Sequence, residues 1–496
     1  MTAKLAAYCV SCWARSIGVR PEIVRGTDSA DDSPMSGGAR RLQGRRELAS
    51  RMIWFFGAIV VAHLPFWLLS QVYALERPQL NVELFVAAAV CAWRPAAGLP
   101  LLLLVWGVDG LVSQSVTYRF ATSIAFMASV RFAGELDWTE LLSTGSLVGA
   151  ALFLAAFFGS WWMARRRRPE WRLTIASLVV VLVLDALNGS SRFAFIDRRL
   201  LAVNLAGAPS LTLYAQFRAA QLHQPPTVLG VEESVSTSLG LRGWARSHPD
   251  RSIWLVLVES MGRLQDAGLR QYALDAMAQA TQGGNYRLES ARMPFKGATT
   301  SGELRALCGL AGNYADLTPA EGAACLPADL ARMGWSTTGM HGFSGRMFDR
   351  RAWWPTIGLQ QLLFGRDLGD LKTCGGAFKG VCDADLLGAA ARRVAQPRQF
   401  VYSLTLNTHL PLDPVAVPPD LRRICRQAGV TESVCALTAA HAAVLKTIGK
   451  LAAEMPNHRP LVVVLGDHAP PFVDARSRSA FDNDIVPVFV LWPSPS

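Results

Sequence analysis

LVVVLGDHAPP, residues Leu461 to Pro471, decides the fold. Five apolar residues of the kind that fill a buried parallel strand run directly into Gly466, Asp467 and His468, so a carboxylate and an imidazole leave the strand together where it stops. Open α/β sheets place their chemistry at that edge. Two other stretches share this build: Ser252 to Val258 ends in Glu259, and Phe400 to Leu406 runs into Asn407, Thr408 and His409. Glu, His and Asp-His at one edge combine hard oxygen with borderline nitrogen, which suits a divalent cation: Mn or Zn first, Mg as a further option. Taken singly, each polar residue is equally well the start of a loop. The three together point to a metal.

The chain has 496 residues, room for two or three domains. It is 51% hydrophobic and 18% charged, and most of the apolar excess lies before residue 190, which implies a membrane region followed by a globular one. A formal net charge of +11 would suit nucleic acid. The basic residues, however, cluster beside apolar segments, at Arg40, Arg41, Arg45, Arg46 and Arg51 and again at Arg165 to Arg168. Membrane topology explains that placement, and no nucleic-acid partner is expected.

Residues 1–50 read as a disordered cytoplasmic tail, in which Cys9 and Cys12 form a weak metal signal without a second pair. Residues 51–190 read as about five spans: Ile53–Leu75, the pair Val82–Trp93 and Ala96–Val112 as a tight hairpin or re-entrant unit, Leu141–Ala164 and Arg172–Asn188. Thr117–Phe132, with Arg119 and Arg131, is expected at the interface. Asp109 and Asp185 are expected near the outer ends of spans, as carboxylates wetted by water or facing a lipid head group. Residues 191–250 read as a membrane-proximal linker with an amphipathic stretch at Ser210–Leu222, and residues 251–496 as an α/β domain in which strands alternate with helices such as Ala384–Ala395 and Leu437–Leu451. With both basic clusters inside, everything after about residue 190 lies outside the cytoplasm. The six cysteines of that part, Cys308, Cys325, Cys374, Cys382, Cys425 and Cys435, then read as three disulfides closing short loops in sequential order.

A nucleophile is sought in KGATTSGELRALCG, Lys296 to Gly309, where Thr299, Thr300 and Ser301 precede a helical pattern. Helix N-terminal amides stabilise an alkoxide and bind phosphate, and a nearby cation completes the activation. On the local pattern alone, one of these hydroxyls is as well explained as a helix cap.

The order LVLVES, TTSGELRALCG, MHGFSGRMFDRRAWWPTIGL, LTLNTHLPL, LGDHAPP resembles the sulfatase-like domain of lipoteichoic acid synthases and periplasmic phosphoglycerol transferases, of the alkaline phosphatase superfamily. The resemblance implies a multi-pass α-helical membrane domain followed by an α/β alkaline-phosphatase-like domain with helices on both faces of a central sheet. It further implies that Glu259, Asp467 and His468 bind the cation, with Thr299 as nucleophile and fourth ligand. The family's acidic residue four positions on, here Glu303, and its Cys-Gly nine positions on, here Cys308-Gly309, both select Thr299. His341, Arg350 and His409 fall where the family holds the substrate phosphate or protonates the leaving group. The lipoteichoic acid branch has Trp where Phe348 stands, and relatives continue past a segment like Ile485–Trp492 with another strand and helix, so a trimmed or otherwise completed core is expected here.

The activity so implied is transfer of phosphoglycerol from a membrane phospholipid to an envelope glycan through a phospho-threonine, at the inner membrane with the catalytic domain outside. The donor is phosphatidylglycerol or, second, phosphatidylethanolamine. Ala469-Pro-Pro departs from the Gly-Glu-Ser continuation of phosphoethanolamine transferases, and no Cys/Ser-x-Pro-x-Arg motif of a sulfatase surrounds Thr299. A sulfatase or phosphodiesterase transferring to water is the runner-up among enzymes, and a non-catalytic binding module, which need not keep all four proposed metal-site residues, is the alternative from a different class.

Overall fold

The computed structural model describes residues 37–72, 78–117, 122–138, 144–187, 206–221, 226–283, 285–455 and 459–494. Cys9 and Cys12, Arg119, and parts of the expected linker lie outside them.

Seven strands form the central sheet: β1 (Ile253–Val258), β2 (Tyr286–Pro294), β3 (Ser336–His341), β4 (Gln361–Phe364), β5 (Gln399–Leu404), β6 (Leu461–Gly466) and β7 (Ile485–Pro493). Their order is β2-β7-β6-β1-β5-β3-β4. The five strands from β6 to β4 are parallel, whereas β7 runs antiparallel to both β6 and β2. Thus Ile485–Trp492, where a trimmed core was expected, is an internal strand paired on both sides, and β2 provides that edge of the sheet.

Alternation along the strands builds two cores. Ile253, Leu255 and Leu257 of β1 join Leu461, Val463 and Leu465 of β6 on one face, while Trp254, Val256, Val258, Val462 and Val464 face the other. Helices cover both faces, as expected of an α/β sheet. The helices that matter for the site are α7 (Ala267–Ala280), α8 (Thr299–Cys308), α9 (Asp383–Val394) and α10 (Glu432–Ala453), numbered after the six of residues 37–187.

Those six are α1 (Gly37–Val72), α2 (Val82–Trp93), α3 (Pro95–Thr117), α4 (Ser123–Ser129), α5 (Thr144–Ala164) and α6 (Trp171–Leu187). Of residues 1–50, those from Gly37 on are described and form the start of α1. From Ser50 on, Phe55, Ile59 and Phe66 of α1 pack with Leu84 and Phe85 of α2, Leu102 and Trp106 of α3 and Phe157 of α5. The outer surface of the same helices stays apolar: Leu103, Leu104 and Leu152 are each about 60% exposed. A bundle hydrophobic inside and outside is what a lipid solvent selects. By length and composition Arg41–Leu68, Pro95–Ser115 and Glu432–Ala453 are long and apolar enough to cross a membrane. The last of these is α10, whose Val444, Leu445 and Ile448 are buried against the sheet, so its hydropathy belongs to the core.

Two expectations are corrected. Asp109 is buried rather than wetted: Asn81 Nδ2 donates to its Oδ2 at 2.9 Å, and Asn81 N–H in turn donates to His63 Nε2 at 2.9 Å. A carboxylate inside an apolar bundle is retained only with such donors. The side chain of Asp185 lies outside the described set. The second half of the linker is part of the globular domain, since Val235, Leu241 and Ala245 are buried in the core that also holds α8. Short apolar residues spaced among Gly and Ser gave no periodic signal there. Ser210–Leu222 corresponds to the helix Pro209–Gln221, and the interfacial segment after residue 122 forms α4 and a 3-10 turn, Val130–Glu135. The three disulfides are Cys308–Cys325, Cys374–Cys382 and Cys425–Cys435, the sequential pairing.

The site edge requires close backbone approach. A Cβ on Gly466 would lie 1.8 Å from the Met261 carbonyl oxygen, so Gly466→Ala should cost about 1–3 kcal/mol or more of stability. An unchanged melting temperature of the full-length protein in detergent would contradict this packing.

Candidate metal centre

Strand register assembles the site. Gly466 of β6 pairs with Val258 of β1, so Asp467 and Glu259 emerge side by side. On the other flank, Leu404 of β5 pairs with His341, the last residue of β3. The parallel strands therefore carry Glu259, His341, the 405–409 turn and Asp467-His468 to one edge.

Glu259, Asp467 and His468 are buried, and their ligand atoms lie within 4.8 Å of one another. His468 Nε2 is 3.2 Å from Asp467 Oδ2 and 3.6 Å from Glu259 Oε1. The His468 Nδ1 lies 2.9 Å from the Ala469 carbonyl, which only accepts, so Nδ1 carries the proton and the Nε2 lone pair faces the carboxylates. Asp467 Oδ1 accepts from Ser260 N–H at 2.8 Å and His468 N–H at 2.6 Å, whereas Oδ2 is buried without a hydrogen-bond partner among the described residues. Burial and then the charge of Glu259 push the Asp467 pKa well up. Burial also acts to raise Glu259, but His409, His468 and the Ser260 hydroxyl outweigh it and hold this carboxyl low. Two adjoining carboxylates, an orphaned oxygen and an oriented imidazole fit a divalent cation of the Zn or Mn kind.

Thr299 opens α8, and its Oγ1 lies 3.1 Å from Glu259 Oε2 and 3.4 Å from His468 Nε2. It is half-buried, reachable from outside. The helix can start this close because residue 302 is glycine: a Cβ there would be 3.1 Å from Asp467 Cβ. From the same helix Arg305 Nη2 donates to the carbonyls of Gly466 at 3.3 Å and Asp467 at 2.9 Å, tying α8 to the end of β6. Burial lowers the Arg305 pKa to about 10 against the pull of Asp467, so it remains a cation at neutral pH.

The other expected residues surround this group. His341 is buried with Nδ1 3.0 Å from the Leu404 carbonyl; burial, then the Arg350 charge, lower its pKa to about 3, which keeps the ring neutral. His409 Nδ1 contacts the Leu410 carbonyl at 2.6 Å, and its ring rests on Phe378 at 4.1 Å. Arg350 is buried and directs Nε to Glu303 at 3.1 Å, where the Trp354 indole and Tyr402 hydroxyl also donate at 3.2 Å each. Sequence reading gave Arg350 a place on substrate and used Glu303 only as a marker of spacing. In the structure they form a buried pair fastening α8 to the β3–β4 connection and to β5. Phe348, left-handed at φ 54°, stacks edge-on against Phe132.

Sequence reasoning named Thr408 only as part of a strand end and missed Ser260 and Asp383. Ser260 adopts φ 56° and donates its hydroxyl to Glu259 Oε1 at 3.0 Å, a strained residue of the kind that gathers at functional sites. Thr408 Oγ1 donates to the Glu259 carbonyl at 2.6 Å. Asp383 opens α9 and accepts the N–H groups of Leu406 and Asn407 at 2.8 and 2.9 Å, holding the turn that carries His409. Of the two that were missed, only Ser260, a small polar residue directly after the strand-end Glu, left a signal in the sequence.

No protein-family model matches the chain, and no curated protein matches it. Among solved structures it is similar to the lipoteichoic acid synthase LtaP from Listeria monocytogenes, at 16% identity over 50% of this chain and 67% of that one, with a TM-score of 0.35. It is similar to the Streptococcus pyogenes phosphoglycerol transferase GacH at 15% identity, covering 54% of this chain and 77% of that one, TM-score 0.35. A third is the lipooligosaccharide phosphoethanolamine transferase EptA from Neisseria meningitidis, at 13% identity over 83% of this chain and 80% of that one, TM-score 0.46. At these values the overlap is a general likeness and adds nothing to the chemistry of the site.

Two outcomes follow from the geometry. Arg350→Ala leaves Glu303 buried and unpaired, so it should cost about 3–5 kcal/mol in stability, read as a large fall in melting temperature; an unaltered fold with only weakened substrate binding would contradict the structural pairing. His341 has its folded pKa, about 3, below the 6.5 of a free imidazole, so it contributes stability above pH 6.5 that is lost as pH falls toward 3. His341→Gln should flatten that part of the stability profile, and an unchanged acid slope would show that His341 is not the group concerned.

Proposed function

We propose that the protein is an integral membrane phosphotransferase of the sulfatase-like kind that moves phosphoglycerol from a membrane phospholipid to an envelope glycan. The carrying observation is the Thr299 hydroxyl at a helix N-terminus, half-open to solvent, within 3.4 Å of both Glu259 and His468 and beside the unpartnered Asp467 Oδ2. A nucleophile, a phosphate-binding helix terminus and a cation-fitting donor set coincide there.

Glu259, Asp467, His468 and Thr299 would hold one divalent cation, Mn or Zn with Mg as a further option. When bound, it neutralises charge on a transferring phosphate and favours ionisation of the adjacent hydroxyl. The protein's own groups do the rest. Thr299 Oγ1 attacks phosphorus in line with the leaving oxygen, the new P–O bond forms as the bond to diacylglycerol breaks, and the amides at the start of α8 receive the phosphoryl oxygens. His409, with Nδ1 bonded internally, keeps Nε2 for proton delivery to the departing oxygen. His341 and Arg350 would hold the substrate phosphate, Arg350 while keeping its Nε on Glu303. An acceptor hydroxyl, giving its proton to His409, then attacks the phospho-threonine, and the bond to Thr299 Oγ1 breaks as the new P–O bond forms, giving ping-pong kinetics.

The apolar outer surface of α1 to α6 and the basic run Arg165–Arg168 support an inner-membrane placement with the sheet domain outside, where its disulfides persist and a lipid donor arrives by lateral diffusion. Phosphatidylglycerol is the first donor and phosphatidylethanolamine the second.

The full-length protein, supplied with divalent metal and either lipid in detergent, should release diacylglycerol and gain a glycerophosphate or phosphoethanolamine mass on Thr299. Thr299→Ala should lose the adduct and retain less than about one-thousandth of the activity, and a chelator should stop turnover until metal is restored. No adduct and no diacylglycerol from either lipid, in folded and metal-loaded protein, would overturn the proposal.

A further inference from the structure

A second cavity, about 400 Å³, lies beside the Met261–Arg270 stretch, between α7, α10 and strands β2 and β7. Its floor is apolar and buried, with Met261, Leu445 and Phe489. Its rim is cationic, with Arg263, Arg270 and Arg292, and no Asp or Glu is among the lining residues.

Two of these guanidiniums have internal partners. Arg263 Nη1 bonds Asp482 at 2.5 Å, and Arg270 Nη1 donates to the carbonyls of Leu264 at 2.8 Å and Gln265 at 2.5 Å. Arg292, exposed on β2, has no such contact among the described residues. In the wall stands His441 of α10, 4% exposed, whose Nε2 is buried with no hydrogen-bond partner among the described residues. Buried polar atoms of native proteins find partners, so an orphan lining a cavity marks a place for a ligand atom. Met261 and Gly262, two and three residues after Glu259, line the same cavity, which places it next to the strand end that carries Glu259.

The chemistry narrows the ligand. A cation is repelled by three arginines, and a neutral apolar molecule leaves both Arg292 and His441 unmatched. A fatty carboxylate answers the arginine and the floor but not the imidazole. A hydroxyl donates and accepts, so it meets Nε2 in either tautomer, and sugar rings offer a C–H face to an apolar floor. The volume holds one or two sugar units.

We propose that this cavity binds an anionic sugar, a hydroxylated ring bearing a carboxylate or phosphate, with the acid on Arg292 and Arg270 and a hydroxyl on His441 Nε2. The site is separate from the phosphotransfer reading, because none of Glu259, Thr299, Asp467 and His468 lines it.

Ligand-observed NMR titration of the full-length, metal-loaded protein with glucuronate, glucose and hexanoate tests it. Glucuronate should saturate, glucose should bind at least about tenfold more weakly, and hexanoate should not bind. Arg292→Glu, a change on an exposed strand residue, should weaken glucuronate by about tenfold or more, whereas Thr299→Ala should leave its binding as it was. Hexanoate binding as well as glucuronate, glucuronate binding indifferent to Arg292→Glu or lost in Thr299→Ala, or no saturation by any probe would each overturn the assignment. Loss of the Thr299 adduct with glucuronate binding intact would instead count only against the phosphotransferase.

Discussion

Two carboxylates emerge side by side from adjacent parallel strands, and burial leaves no water to keep their charges apart. Glu259 and Asp467 can both ionise only with a positive charge between or beside them. The surrounding structure supplies part of this: Ser260 N–H and the His468 amide on Asp467 Oδ1, the Ser260 hydroxyl on Glu259, and the Arg305 guanidinium behind the strand end. None of these reaches Asp467 Oδ2 as a hydrogen bond. A divalent cation held by Glu259, Asp467 and His468 would supply the positive charge that this arrangement lacks.

That arrangement depends on where α8 begins. Thr299 reaches the carboxylates because Gly302 lets the first helical turn approach Asp467, and because Glu303, one residue further, is anchored from three directions by Arg350, Trp354 and Tyr402. Cys308–Cys325 fixes the other end of the helix. Thr299 is thus positioned by a helix held at both ends, which keeps its hydroxyl in place without a substrate to orient it.

Much of this was legible in the chain. Apolar runs ending abruptly in Glu259, in Asn407-Thr408-His409 and in Asp467-His468 announced both the strands and their common edge, since only buried parallel strands read as unbroken hydrophobic segments. Short spacing made the sequential disulfides the simplest pairing. What stayed hidden depends on distance along the chain. Arg350 and Glu303 are 47 residues apart, and nothing local tells a buried pair from a surface Arg and a helix-turn Glu. Asp383 looked like an ordinary acidic residue at a helix start, and its grip on the 405–409 turn is set by tertiary packing alone. The burial of Asp109 likewise follows from Asn81 on another element, and α10 shows that hydropathy by itself does not separate a core helix from a spanning one.

The short segment after α4 touches the sheet domain at several points. Phe132 is buried among Phe343, Met347 and Leu406, Arg131 pairs with Asp349, and the Asp137 N–H donates to the Ala377 carbonyl at 3.0 Å. The sheet domain is therefore docked on the helical part through an apolar plug, not hung from it by a tether. A fragment cut free of its helices would carry Phe343, Met347 and Leu406 uncovered. Self-association of such a fragment in a sedimentation experiment would then report a missing intramolecular partner rather than a native oligomer.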